Sequence, residues 1–150
     1  MTASAAKAEA TAPPPLALGH AASFGFVIAA EEMEMFAALS GDRNPLHSDA
    51  DYAQARGFAG PVVYGGLLAA KVSRLVGMEL PTQDCIWTHL DIDFRGPLYV
   101  GEPATLAAEV VEVSEAVRAA RIRFRIEAAA GRRLVARGTA ELVYGDGVAR

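Results

Sequence analysis

A turn-rich segment of the chain places a carboxylate and an imidazole close together. The segment reads Ser-Gly-Asp-Arg-Asn-Pro-Leu-His, and it carries Asp42 and, five positions later, His47. Gly, Asp, Asn and Pro are common in turns because Asp and Asn bond to nearby backbone and Pro fixes φ. Histidine is not needed for a turn, and its free pKa near neutrality lets it accept or donate a proton.

The residues alone leave more than one reading of this pair. Asp42 and His47 could simply brace the turn. Alternatively, a rigid turn could direct both side chains at one water molecule, which they would hold while one of them accepts its proton. The nearby carboxylates also suggest a metal, but the sixth position of a calcium loop needs Gly, and His47 stands there. We therefore predict no metal site.

Helical patterns lie on both sides of this turn. Ala30 to Leu39 consists of good helix formers, and Ser40-Gly41 is a typical helix stop. Ser48 to Ala55 predicts one or two helical turns, with Ser48 or Asp49 as the N-cap. The longest pattern is Val62 to Val76, which Gly77 is expected to end. Small residues leave one side of this long helix nearly bare, so that another backbone could approach it closely.

Strand patterns account for most of the remaining chain. Ser23 to Ile28 alternates as a short strand does, and four longer alternating segments follow the long helix. In the first of these segments, Trp87 and His89 alternate with the expected core residues, so we place them on the outer face of the sheet or at a dimer contact. Short turns between consecutive strands favour antiparallel pairing. We predict an α+β fold in which a curved antiparallel sheet wraps around one long central helix.

The composition is that of one globular domain. The chain has 150 residues, of which 52% are hydrophobic and 21% are charged. The Ala- and Pro-rich residues 1–18 predict a flexible tail, followed by a single domain over residues 19–150. No apolar run reaches the roughly 20 residues that span a bilayer, so no membrane contact is expected. A single cysteine and the lack of a signal-peptide pattern favour a cytoplasmic protein.

The charge pattern argues against nucleic-acid binding. The net charge is −4, whereas nucleic-acid binding needs a clustered basic face. Arg121, Arg123 and Arg125 alternate along one predicted strand, and we expect them to lie on its outer face and to pair with nearby carboxylates.

The segment from Phe36 to His47 resembles the signature of the R-specific enoyl-CoA hydratases and MaoC-like dehydratases. The motif Ser-Gly-Asp-x-Asn-Pro-Leu-His is present in full. The similarity continues from Gly60 to Ala69, reaches Ser73, and returns between Phe94 and Glu102. The resemblance implies the hot-dog fold, a reaction that needs no metal or redox cofactor, and a homodimer whose sheets join edge to edge with the acyl tunnel at the interface.

The resemblance also assigns roles by position. It implies that Asp42 and His47 activate water, and that Asn44 helps to hold the site. It further implies that the Gly65 N–H binds the thioester oxygen and that Ser73 lies near the site. The donor role is physically reasonable, because adding water to an enoyl thioester builds enolate charge on that oxygen, and an N–H at a helix N-terminus is a preorganised donor. Simple packing is the alternative explanation of the two adjacent glycines.

One position departs from the family pattern. The family commonly has His-Gly-Met where this chain has Tyr64-Gly65-Gly66. The N–H donor is retained, but the methionine side chain is lost. We therefore expect Tyr64 and Gly66 to line a substrate pocket with more space, which could admit a bulkier or branched acyl group.

We expect an enzyme that reversibly hydrates a trans-2-enoyl thioester to an R-3-hydroxyacyl thioester, carried by coenzyme A or an acyl carrier protein. Two alternatives stay open at this point. A hot-dog thioesterase would share the fold but would direct water at the carbonyl carbon and release the thiol. A non-catalytic acyl-binding module would use Asp42 and His47 only to brace the turn.

Overall fold

Five segments of alternating polarity form one antiparallel sheet. The computed structural model describes residues 16–81, 84–145 and 148. The spatial order of the strands is β1-β3-β4-β5-β2, so β1 and β2 are the edges. The strands are β1 (Ala21–Phe26), β2 (Cys85–Phe94), β3 (Ala104–Ser114), β4 (Ala119–Ala128) and β5 (Arg133–Tyr144).

The helices lie between β1 and β2 in the chain. They are α1 (Ala30–Ser40), α2 (Ala50–Ala55) and α3 (Gly65–Arg74), with a short 3-10 turn over Pro45–His47. The α3 residues Leu68 and Val72 are buried in the same core as the alternate, inward residues of β3, β4 and β5. The predicted α+β architecture, a curved antiparallel sheet on a central helix, is therefore present.

The central helix differs from the prediction at both ends. It begins at Gly65 instead of Val62, because Val62 and Val63 are used in pairing with another segment: Val62 bridges to Tyr99, and the Val63 N–H donates to the Leu98 carbonyl at 2.8 Å. Gly77 does not end the helix. A π turn over Leu75–Glu79 continues it.

In the first half of β2, the residues that face the core and those that face outward are exchanged relative to the prediction. A register shift lies between Trp87 and His89. As a result Trp87 packs against the core, whereas Ile86 is 47% exposed. The prediction that Trp87 faces outward is wrong, because an irregularity of one residue exchanges the two faces of a strand. His89 is exposed, as expected.

One ion pair fixes α1 to α3. The Glu32 carboxylate accepts a hydrogen bond from the Ala29 N–H at 2.9 Å and another from the Lys71 ammonium at 2.9 Å. These two bonds, the backbone one first, lower the pKa of Glu32. Lys71 also lies 5.8 Å from the centre of the Phe26 ring, so α1, α3 and β1 are joined at one point.

The outer face of the sheet is covered by ion pairs. Arg121 pairs with Glu112 at 2.7 Å and with Glu141 at 2.9 Å. Arg123 and Arg125 also pair with glutamates. The expectation that these arginines pair with local carboxylates is confirmed.

The predicted tail, residues 1–18, lies mostly outside the described residues, and the predicted domain boundary stays a prediction. Leu16 is only 2% exposed and belongs to the core, so packed structure is already present at that residue. Within residues 16–81 and 84–145, no helix combines the length and the apolar character needed to cross a bilayer.

Candidate active site

The turn after α1 is held by its own side chains. The Asp42 carboxylate accepts a hydrogen bond from the Asn44 N–H at 3.0 Å through Oδ1, and the Asn44 side chain accepts one from the Leu46 N–H at 3.0 Å. The Ser40 hydroxyl oxygen accepts the Asp42 N–H at 3.1 Å. Local bonds of this type fix the backbone of a turn. The Asp42 Oδ2 atom has no hydrogen-bond partner in the part of the chain that the structure describes.

The His47 ring is oriented by a backbone carbonyl. Its Nδ1 atom lies 2.7 Å from the Val62 carbonyl oxygen. A carbonyl oxygen can only accept a hydrogen bond, so Nδ1 carries the proton, and in the neutral ring Nε2 keeps its lone pair. The half-buried His47 is therefore arranged as a base at Nε2.

Tyr64 connects the turn to the central helix. Its side chain is buried, and its hydroxyl donates a hydrogen bond to the Asp42 carbonyl oxygen at 2.8 Å. Its ring centre lies 3.9 Å from that of His47 and 4.9 Å from that of Phe36. Burial, and secondly the negative charge of Asp42, raise the pKa of the Tyr64 hydroxyl. The hydroxyl is consequently a stable donor at neutral pH.

Gly65 and Gly66 are the first two residues of α3, and Tyr64 is the residue that caps it. The first N–H groups of a helix have no acceptor within the helix. These N–H groups also lie at the positive end of the helix dipole. The Gly65 N–H can thus donate to an anionic oxygen beside the His47 and Tyr64 rings.

Packing against two aromatic rings by itself favours glycine at both positions. A Cβ atom added to Gly65 would lie 2.8 Å from Cζ of Phe94, and one added to Gly66 would overlap the ring of Phe36. The space expected at Gly66 is therefore not open, because Phe36 fills it. The expectation that the missing methionine enlarges the pocket is wrong for this reason.

A cleft of about 520 Å³ lies between α1 and the turn. His47 and Tyr64 line it, so the structure brings these two predicted residues together. Apolar side chains form much of the wall, and charged side chains also border the cleft; examples are Met33, Ala37, Val100, Glu34 and Arg43.

The other predicted residues lie outside the lining of this cleft. Asp42 and Asn44 are exposed in the turn, and Ser73 is exposed on α3, about two turns beyond Gly65. Three oxygen atoms considered for a metal accept hydrogen bonds from the backbone: Asp42 Oδ1 and Asn44 Oδ1 do so within the turn, and Asp49 Oδ1 caps α2 through the Tyr52 N–H.

Sequence reasoning missed three contributors. It gave no role to Val62, whose carbonyl orients His47, or to Phe36 and Phe94, whose rings pack on the two glycines. Phe36 lies within the motif, but the motif does not show that its ring packs on Gly66. Nothing in the sequence could identify the Val62 carbonyl, because every residue has one.

An antiparallel sheet wrapped on one central helix defines the hot-dog class of proteins, and this chain adds to it a turn that carries an acid and an imidazole. Residues 8–130 match the model of the MaoC like domain family. The chain therefore belongs to the MaoC-like domain family.

Known relatives agree with this assignment. The chain is 38% identical over 100 residues to the (R)-specific enoyl-CoA hydratase of Aeromonas caviae, which covers 67% of this chain and 75% of that protein. It is 33% identical over 92 residues to the enzyme of the same name from Rhodospirillum rubrum, which covers 61% of this chain and 64% of that protein.

Solved structures support the same fold. The structure of the (R)-hydratase from A. caviae involved in PHA biosynthesis superposes with a TM-score of 0.83 at 34% identity, over 88% of this chain and 99% of that chain. The predicted hot-dog fold and the predicted family of hydratases and dehydratases are therefore confirmed.

The contact between Gly66 and Phe36 predicts that Gly66→Met destabilises the fold. We expect the free energy of unfolding to fall by about 1–3 kcal/mol, because the new side chain overpacks against a ring that Tyr64 holds in place. Urea unfolding followed by circular dichroism measures this loss.

Two comparisons make the test specific. Ala70→Met places the same side chain at an exposed position of α3 and should change stability little. In the Phe36→Ala variant, adding Gly66→Met should lower the free energy of unfolding less than it does in the wild type, because the Phe36 ring is no longer there to clash. A Gly66→Met variant as stable as the wild type would contradict the packing argument.

Proposed function

We propose that this chain catalyses the reversible hydration of a trans-2-enoyl thioester to an R-3-hydroxyacyl thioester. The observation that carries the proposal is the bond between His47 Nδ1 and the Val62 carbonyl at 2.7 Å, which leaves the Nε2 lone pair free on a ring that packs against Tyr64, the N-cap residue of α3. The names of the relatives support the reaction class, and the two enzymes described above are named for coenzyme A thioesters.

In the proposed mechanism, a water molecule lies between the free Asp42 Oδ2 and His47 Nε2. Nε2 takes one proton of the water molecule while the water oxygen bonds to the β-carbon of the substrate. The carbon–carbon double bond becomes an enolate, and the Gly65 N–H binds the charged thioester oxygen. The imidazolium then returns a proton to the α-carbon on the same face. The reaction changes no oxidation state of the protein and needs no electron carrier.

A direct test is incubation with trans-2-enoyl-CoA thioesters of increasing length and branching, with matched acyl-carrier-protein thioesters in parallel. Loss of the conjugated double bond and formation of the R alcohol are expected. Asp42→Asn and His47→Gln should retain the fold and lower kcat by about 100- to 10,000-fold, because each removes proton transfer or water binding.

Matched controls are Asp91→Asn and His89→Gln, which change the same residue types at exposed positions on β2. Both should keep wild-type kcat. Release of free thiol without loss of the alkene would instead identify a thioesterase. Full turnover in either Asp42→Asn or His47→Gln would remove that residue from the mechanism.

The backbone donor can be tested by removing a single N–H. Proline is favoured at the first position of a helix, and Tyr64 has the extended ψ of 133° that a following proline needs. Because a Cβ at residue 65 meets Phe94, both variants are made with Phe94→Ala. Gly65→Pro should then have a kcat about 100- to 1,000-fold below that of Gly65→Ala, which keeps the N–H. Equal kcat values in the two would exclude the donor role.

We also propose that the protein is a homodimer joined along β2. This strand is an edge among the described strands, it is ten residues long, and it exposes Ile86 and Phe94. Long, apolar edges promote pairing with another chain. An edge-to-edge dimer would cover that edge and extend the sheet across two copies.

Sedimentation velocity is expected to give twice the chain mass for the wild type. Ile86→Lys should shift the protein toward the monomer, because like charges would meet near the shared edge. Val117→Lys, at an equally apolar and exposed position in the turn between β3 and β4, is the control and should remain dimeric. A monomeric wild type would refute the dimer.

A further inference from the structure

We propose that Tyr64 is a positioning residue of the hydration reaction, which sets the spacing between Asp42, His47 and the Gly65 N–H. This inference rests on the proposed function of the site. It differs from the sequence-based expectation, which placed Tyr64 among the substrate-binding residues. Three separate contacts carry it.

The first contact fixes the acid. The Tyr64 hydroxyl donates its proton to the carbonyl oxygen of Asp42 at 2.8 Å. The side chain that makes this bond is only 3% exposed. A buried donor committed to a backbone acceptor is poorly placed to bind substrate, since exchanging its partner would leave a polar group unpaired. The bond therefore anchors the residue whose carboxylate is proposed to hold the water.

The second contact fixes the base. The rings of Tyr64 and His47 lie 3.9 Å apart between centres, at an interplanar angle of 30°. The Val62 carbonyl restrains only one atom of the imidazole, so the ring could still turn about that hydrogen bond. A tilted aromatic neighbour restricts this rotation and keeps Nε2 in one direction.

The third contact fixes the anion donor. Tyr64 caps α3, and its carbonyl oxygen accepts the Leu67 N–H at 3.0 Å. Gly65 is the next residue, so the direction of its N–H depends on the backbone of Tyr64. Phe36 packs on both Tyr64 and Gly66, and its ring restrains the position of the Tyr64 ring. One residue thus connects all three groups of the proposed mechanism, Asp42 and His47 through its side chain and Gly65 through its backbone.

Two substitutions separate these contacts. Tyr64→Phe removes the hydroxyl and keeps the ring, and Tyr64→Leu removes both. Tyr64→Phe should lower kcat about tenfold with KM within about twofold of the wild type, as expected when geometry and not ground-state binding is lost. Tyr64→Leu should lower kcat about 100-fold, because misplacement of reacting groups by a small distance has effects of this size. Tyr52→Phe, which removes a hydroxyl from α2, should match the wild type.

A readout independent of activity is the tautomer of His47, measured from its ring ¹⁵N shifts. The wild type and Tyr64→Phe should show the proton on Nδ1. In Tyr64→Leu the His47 ring can leave the Val62 carbonyl, so this variant should show a mixture of both tautomers. A merely structural tyrosine would lower thermal stability and leave the tautomer and the kcat of the folded fraction unchanged.

The outcomes separate this inference from the proposed function. Unchanged kcat in Tyr64→Phe, or a raised KM at unchanged kcat, would overturn the positioning role. If the wild type shows no hydratase activity, the proposed function fails, and the tautomer comparison still decides the role of Tyr64: an unchanged tautomer in Tyr64→Leu would refute it. Because Tyr64→Phe preserves the ring packing, the kinetic test does not depend on Tyr64→Leu folding.

Discussion

Two reciprocal hydrogen bonds join the turn to the segment that leads into the central helix. The His47 ring donates to the Val62 carbonyl, and the Val62 N–H donates to the Leu46 carbonyl at 3.1 Å. Val62 also bridges to Tyr99, so the same residue is held from a third segment. This junction fixes the tautomer of the imidazole, the residue at which α3 begins and the position of the turn. Loops that are fixed to a rigid scaffold in this way are common locations for functional residues.

The rest of the fold keeps this junction in place. Glu32 and Lys71 connect α1, which leads into the turn, to α3, so these two helices cannot separate without breaking a partly buried ion pair. On the opposite face of the sheet, alternating arginines and glutamates pair across strands and expose few apolar groups. Surface pairs of this kind add little stability each. Their role is better described as keeping that face polar, whereas the helix side buries the core.

Periodicity was sufficient where burial alone decides the structure. The alternation of Arg121, Arg123 and Arg125 predicted the outer face of β4, whose other side lies against the core, and helix propensity predicted α1. Periodicity was insufficient where pairing with a residue distant in sequence decides the local structure. Val62 and Val63 look helical in isolation but pair with residues near Tyr99, and one irregularity in β2 exchanged Ile86 and Trp87. Of the residues singled out by the resemblance, His47 and Tyr64 line one cleft, but no local pattern showed that Phe36 fills the space at Gly66.

The exposure of Asp42 has a consequence for the chemistry. A carboxylate that is open to bulk water interacts weakly with a nearby proton or dipole, because the solvent screens it. Proton transfer to a carbon needs the opposite condition, a site from which most water is excluded. In a single chain Asp42 is exposed, while His47 and Tyr64 already line a partly apolar cleft. In the proposed mechanism and the proposed homodimer, cover for this carboxylate would come from the acyl thioester or from the second copy, so substrate binding and assembly would complete the site that the turn begins.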